Sequence, residues 1–299
     1  MKLKLNNTTK TGQDNNPQIF STPKKRYPIV LSIAGSDSSG GAGIQADLKT
    51  CSALGVYGAT VITAITAQNT QGVQAQLHIP VNMVHSQLLS VMNDISPSII
   101  KIGMLGNAEI VEVLAQTLKN YSTPIILDPV MIASSGHRLM ADEAQNVLIK
   151  QLLPITTLLT PNIPEMQALC NLPLTTLEEK NAAAQHLLQS GLKAILLKGG
   201  HEHGDMKTDI LYRTTDKAIS ITHYTSPTIF THNIHGTGCT LSAAIAAFMA
   251  RGFTMEEAVS KAKIYITEAI KNGADISIGH GCGPVNHLFN PIKIQTYEE

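Results

Sequence analysis

Tryptophan is absent from this 299-residue chain, and the other aromatics amount to five Phe and seven Tyr. Such a set offers few platforms on which nucleic-acid bases could stack. Net charge is absent as well, because 22 Lys and Arg offset 22 Asp and Glu. The basic excess of a nucleic-acid binder is therefore missing, and no nucleic-acid partner is expected. No apolar run approaches the roughly 18 residues of a membrane span, so no membrane partner is expected either. Cysteine is scarce: positions 51, 170, 239 and 282, with no CxxC pair. That excludes a disulfide scaffold, makes structural zinc a poor fit, and suits a reducing compartment, the cytoplasm. What the chain does have is 43% hydrophobic and 15% charged residues, the balance of a well-packed globule.

Charge is unevenly placed. Residues 1–27 hold Lys2, Lys4, Lys10, Lys24, Lys25 and Arg26 against Asp14 alone, in a setting of Asn, Thr and Gln. The segment has neither the apolar stretch of a secretory signal nor the Arg-rich amphipathic pattern of a transit peptide. It reads as a disordered basic tail, with residues 28–299 forming one domain.

From Pro28 onward short apolar runs alternate with helix-like segments. Strands are expected at 28–34, 59–66, 99–102, 124–127, 157–159 and 194–198, with a hairpin over 208–213 and 218–223. Helices are expected at 43–54, 82–93, 108–118, 142–152, 164–170, 177–190, 239–251 and 255–272. Continuously apolar strands between helices predict an α/β fold, a mostly parallel sheet covered on both faces. In such sheets ligands lie beyond the carboxyl ends of the strands.

Polar chemistry gathers at those ends. The first strand runs into Ala34-Gly-Ser-Asp-Ser-Ser-Gly-Gly-Ala-Gly43, with Asp47 on the helix behind it. The loop suits either close backbone approach to a phosphate or a plain tight turn. The second strand ends near Gln68 and Asn69, whose amides can read the edge of a heteroaromatic ring or stand in a solvated loop. Asp128, in Asp-Pro-Val-Met131, and Glu165, in Thr160-Pro-Asn-Ile-Pro-Glu165, end successive strands. They suit hard Mg²⁺, or a turn and a helix first turn respectively. Lys198 precedes Gly199 and Gly200, as a point charge reaching toward polyphosphate or as a surface lysine. His201 and His203 lack a third ligand, and no metal is expected there.

The sharpest element is His235-Gly-Thr-Gly-Cys-Thr240, opening an Ala-rich helix. Unpaired N–H groups and the helix dipole make such a start an anion site. The same field is expected to lower the pKa of Cys239, which would make it a base or a nucleophile. A Gly-Thr start with a structural cysteine is the other reading.

These runs, together with Lys101-Ile-Gly-Met104, residues 62–70 and Gly279-His-Gly-Cys-Gly-Pro-Val285, occur in family order over roughly residues 28–290. The chain resembles the bacterial hydroxymethylpyrimidine/phosphomethylpyrimidine kinases of thiamine biosynthesis, in the ribokinase-like superfamily. The resemblance implies a three-layer αβα fold and ATP-dependent phosphorylation of 4-amino-5-hydroxymethyl-2-methylpyrimidine, then of its monophosphate. It implies that Gln68, Gly35, Asp47, Met104 and Val130 surround the pyrimidine, that Lys198 and Asn162 meet the ATP phosphates, and that Asp128 and Glu165 order Mg²⁺. The backbone of Gly236, Thr237, Gly238 and Cys239 would form the anion hole, and Cys239 would take the hydroxyl proton. A homodimer is implied by analogy. Ser38 departs from the proline of many members and is expected to matter little. The competing readings are a pyridoxine/pyridoxal kinase, a non-catalytic pyrimidine-binding regulator, and a hydrolase with Cys239 as nucleophile.

Overall fold

In the computed structural model, residues 25–131, 139–200, 204–216 and 218–298 are described here. Chain order is β1 (Lys25–Arg26), β2 (Ile29–Asp37), α1 (Gly43–Ala53), β3 (Tyr57–Asn69), β4 (Gly72–His78), α2 (Val81–Asp94), β5 (Ile99–Ile102), α3 (Ala108–Leu118) and β6 (Ile125–Leu127). Then come α4 (Asp142–Val147), β7 (Leu158–Leu159), α5 (Ile163–Cys170), α6 (Leu177–Leu188), β8 (Ala194–Leu197), β9 (Met206–Thr214), β10 (Ile219–Pro227), α7 (Thr237–Ala250), α8 (Met255–Lys271) and β11 (Tyr297–Glu298). A π turn, Leu148–Leu152, and a 3₁₀ turn, Leu153–Ile155, continue α4.

Nine strands form one sheet in the order β10-β9-β8-β7-β6-β5-β2-β3-β4. The six from β8 to β3 run parallel, while β4, β9 and β10 add antiparallel edges. The pleat divides the strand residues between two cores. Leu31, Ile33, Ile100, Ile102, Leu127, Leu159 and Ile195 face α2 to α6. Val30, Ile99, Ile126, Leu158 and Leu196 face α1, α7 and α8. This is the predicted three-layer αβα arrangement, and it explains why the strands read as unbroken apolar runs.

Two elements were not legible beforehand. The β4 edge strand carries Gln74, Gln76 and His78 among its seven residues, and most of it stays partly solvated. Its polarity hid it, and β3 extends beside it through Asn69. Lys25 and Arg26, assigned to the tail, pair instead with Glu298 and Tyr297, and Tyr27 stacks on Tyr57. The rest of the tail, the Ala133–Gly136 run after β6, and His201 and His203 lie outside the described residues.

Candidate active site

Every motif at a strand end arrives at the same edge of the sheet. Gly35 interrupts the β2–β3 register, and a Cβ on it would lie 2.9 Å from Met104 Sδ. Met104, Ala64 and Leu139, with Val130 against them, form a small apolar cluster apart from the two main cores. Gln68 follows a bulge in β3, a device that re-aims a side chain. Ser38 holds it there by donating to the Gln68 carbonyl at 2.9 Å and accepting from its N–H at 2.8 Å. Proline has no hydroxyl, so Ser38 is a specific tie here rather than a neutral replacement.

Glycine is required where the glycine-rich loop meets the start of α7. Gly236 has φ +78°, and a Cβ there would fall 1.8 Å from the Gly41 carbonyl oxygen. The turn delivers the first turn of α7 with no side-chain cap. The N–H groups of Gly238 and Cys239 meet no acceptor among the described residues. A Cβ on Gly238 would sit 3.4 Å from Lys198 Nζ and 3.6 Å from Asp128 Oδ2. A free helix N-terminus, a cation and a carboxylate thus converge on one spot. Ten α7 residues are buried, five of them alanine, and this small-residue packing lets the helix approach the sheet so closely.

Lys198 Nζ donates to Asp128 Oδ1 at 2.8 Å and lies 3.8 Å from Glu165 Oε2. Asp128 also accepts from Thr160 at 3.3 Å and Ser242 at 3.2 Å. Burial works against its charge, but Lys198 and Lys101 hold the carboxyl below its usual range. Glu165 forms a capping box with Asn162, each side chain accepting from the other's N–H at 2.8 Å. Burial raises Glu165 to about 7 despite Lys198. That is the state of a carboxylate short of positive charge, and a divalent cation held through water would supply it. Glu165 and Asp128, carboxylates at neighbouring strand ends, are a donor set that Mg²⁺ held through water would fit. Asn162 is tied into the cap by its side-chain oxygen, a role the motif alone did not reveal.

Two expectations change. Asp47 is fully buried, accepting from Lys101 Nζ at 2.9 Å and Ser32 Oγ at 2.5 Å. It underpins the site instead of lining an open surface, and its Oδ1 has no partner among the described residues. Lys101, equally buried, stands in the Lys101-Ile-Gly-Met104 run, which by itself points to no role for it. Burial alone would discharge it, but Asp47, Cys239 and Asp128 hold its pKa above the ordinary lysine value. For Cys239 the expected drop in pKa is reversed. Burial, then Asp47 and Asp128, outweighs Lys101 and the Gly43 N–H donated to its sulfur, and the thiol is pushed up to about 11.

The reading also missed Asp37 and His235 as a pair. His235 Nε2 lies 2.8 Å from Asp37 Oδ2, bridging the glycine-rich loop to the α7 turn. Only their position beside glycines hinted at it. Among the described residues no cluster of three or more His, Cys, Asp or Glu forms a metal site, and no helix is long and apolar enough to cross a membrane.

The family described as phosphomethylpyrimidine kinase matches residues 37–286. The chain belongs to that family. A hydroxymethylpyrimidine/phosphomethylpyrimidine kinase of Rhizobium meliloti (strain 1021) is 45% identical over 261 residues, covering 87% of this chain and 97% of the relative. The Escherichia coli (strain K12) kinase of that name shows the same identity and coverage. Among solved structures, the phosphomethylpyrimidine kinase of Clostridium difficile 630 is 43% identical with a TM-score of 0.70, covering 81% of this chain and 99% of that one. A Staphylococcus aureus pyridoxal kinase in complex with AMP-PCP and pyridoxal is 32% identical with a TM-score of 0.79, covering 91% and 98%.

Proposed function

We propose that this kinase uses ATP to phosphorylate 4-amino-5-hydroxymethyl-2-methylpyrimidine, and then the resulting monophosphate, to give the diphosphate for thiamine synthesis. The observation that carries the reading is the convergence of the uncapped α7 start with Lys198 and Asp128. Phosphoryl transfer passes through a loose transition state and depends chiefly on positioning and charge stabilisation. The Gly238 and Cys239 N–H groups would receive the equatorial oxygens of the transferring group, with Lys198 neutralising charge beside them. Asp128 keeps Lys198 aimed and charged. Bound Mg²⁺ would neutralise phosphate charge near Glu165. Gln68 would read the amino and ring-nitrogen edge of the pyrimidine, against the apolar wall of Met104 and Val130.

A thiol raised to about 11 is a poor base at neutral pH. Cys239 therefore serves first as an anion-hole residue, and the substrate hydroxyl loses its proton late, as the new O–P bond forms. The same need for an alcohol acceptor underlies the pyridoxal alternative, favoured by the S. aureus fold match. The higher identity to the pyrimidine kinases outweighs it. For assembly we propose a homodimer through the exposed cross-strand pair Ile65 and Leu77, which light scattering checks.

The deciding experiment is ATP turnover with Mg²⁺ on the pyrimidine alcohol, its monophosphate and pyridoxine. Turnover of both pyrimidines is expected. Consumption of pyridoxine alone would overturn the ring assignment, and tight pyrimidine binding without turnover would make the protein a regulator.

A further inference from the structure

Asp37 is the most heavily bonded carboxylate near the site. It accepts from Ser39 N at 2.8 Å, Ser39 Oγ at 2.7 Å, Gly41 N at 3.1 Å, Ala42 N at 2.8 Å and His235 Nε2 at 2.8 Å. Burial opposes its charge, but the His235 and Ser39 bonds hold the carboxyl well below its usual range. An ionised carboxylate only accepts hydrogen bonds, so His235 Nε2 carries the hydrogen.

That tautomer has a consequence for Gln68. In the structure the Gln68 amide nitrogen faces the same His235 Nε2 at 3.4 Å, and its oxygen faces Thr66 Oγ1 at 3.1 Å. Nitrogen against a protonated Nε2 sets donor against donor. The two ends of an amide have the same shape, and the surrounding network decides which is which. Thr66 has a carbonyl to donate to, Ser36 O at 3.0 Å, so its oxygen is free to accept an amide N–H. Turning the amide over removes that clash: Thr66 Oγ1 accepts the amide N–H, and the amide oxygen faces the Nε2 hydrogen as the long arm of a forked bond whose short arm is Asp37.

We propose that Asp37 and His235 are a positioning pair that holds the Gln68 amide with its oxygen toward His235 and its NH₂ toward Thr66, making Gln68 selective for one ring edge. The inference rests on the reading that Gln68 meets the pyrimidine. A pinned amide presents one N–H and one lone pair in a fixed order. An amine beside a ring nitrogen matches that order from one side only. An unpinned amide would turn to suit other rings, including a pyridine lacking the amine.

The first test is nitrogen NMR of histidine-labelled full-length protein. Protonated Nε2 on His235 is expected, and an unprotonated Nε2 overturns the proposal. The second compares the pyrimidine alcohol with pyridoxal, as substrates or competitive inhibitors, in His235→Asn and Thr66→Val. Loss of one oriented hydrogen bond predicts about a tenfold fall in discrimination for His235→Asn, with a smaller fall for the near-isosteric Thr66→Val. The change should appear in KM or Ki for the pyrimidine. Equal losses for both rings, or a loss confined to kcat, would make the pair merely structural and overturn the proposal. Gln68→Ala separates the two claims. If it leaves pyrimidine KM unchanged, the ring assignment fails, whatever tautomer NMR reports.

Discussion

Cys239 should react as a half-buried thiol of raised pKa, not as an activated one. Its helix-start position predicts a lowered pKa by at most about 2 kcal/mol, or about 1.5 pH units. The opposing contributions are burial and the carboxylates of Asp47 and Asp128, and the result is a thiol near 11. At pH 8 an ordinary cysteine is roughly a quarter thiolate, whereas Cys239 should be about a thousandth. The higher pKa returns about tenfold in intrinsic nucleophilicity, so alkylation should run some tens of times slower than for a free thiol. The assay is peptide-resolved mass spectrometry after timed iodoacetamide exposure between pH 6 and 10. The logarithm of the Cys239 rate should climb with unit slope across the whole range. A plateau at pH 7–8 would establish a thiolate and refute the reasoning, restoring Cys239 as a ready base. The same logic predicts that Cys239→Ser lowers kcat by less than about 100-fold, the lower end of what a general base contributes.

His287 is buried with Thr240 at 2.9 Å, and burial, then Lys49 and His235, lowers its pKa to about 4. The unfolded chain protonates this residue at about 6.5 and the folded one only near 4. Stability should therefore be full above pH 6.5 and fall by up to about 3 kcal/mol toward pH 4. Urea titrations across that window check it, and an unchanged slope in His287→Gln would refute the assignment. Lys101→Met strands the Asp47 carboxylate in the core and should cost about 3–5 kcal/mol; denaturant melts showing less than 1 kcal/mol would mean the pair is not the buried anchor described. Gly236→Ala forces a side chain against the Gly41 carbonyl and should displace the α7 start, lowering kcat by about 100-fold. Steady-state kinetics with circular dichroism as a fold control measures it, and near-normal kcat would remove that turn from the anion hole.

Strand-helix alternation, the parallel sheet and the phosphate-friendly strand ends were all legible in the chain. Local apolar runs and glycine turns are short-range properties that one segment carries by itself. Gln68, Asp128, Glu165, Lys198 and the residue 236–239 turn could be named because each ends a strand or opens a helix. Tertiary structure alone decided the partners across the chain. Asp47 with Lys101, Asp37 with His235 and Ser38 with Gln68 lie 54, 198 and 30 residues apart, and no spacing rule connects them. It also reversed the ionisation expected of Cys239, because a helix dipole is a local field while burial and neighbouring carboxylates are set by everything packed around the sulfur. Which residues stand at the sheet edge is written in the sequence; what charge each carries there is set by the folded surroundings.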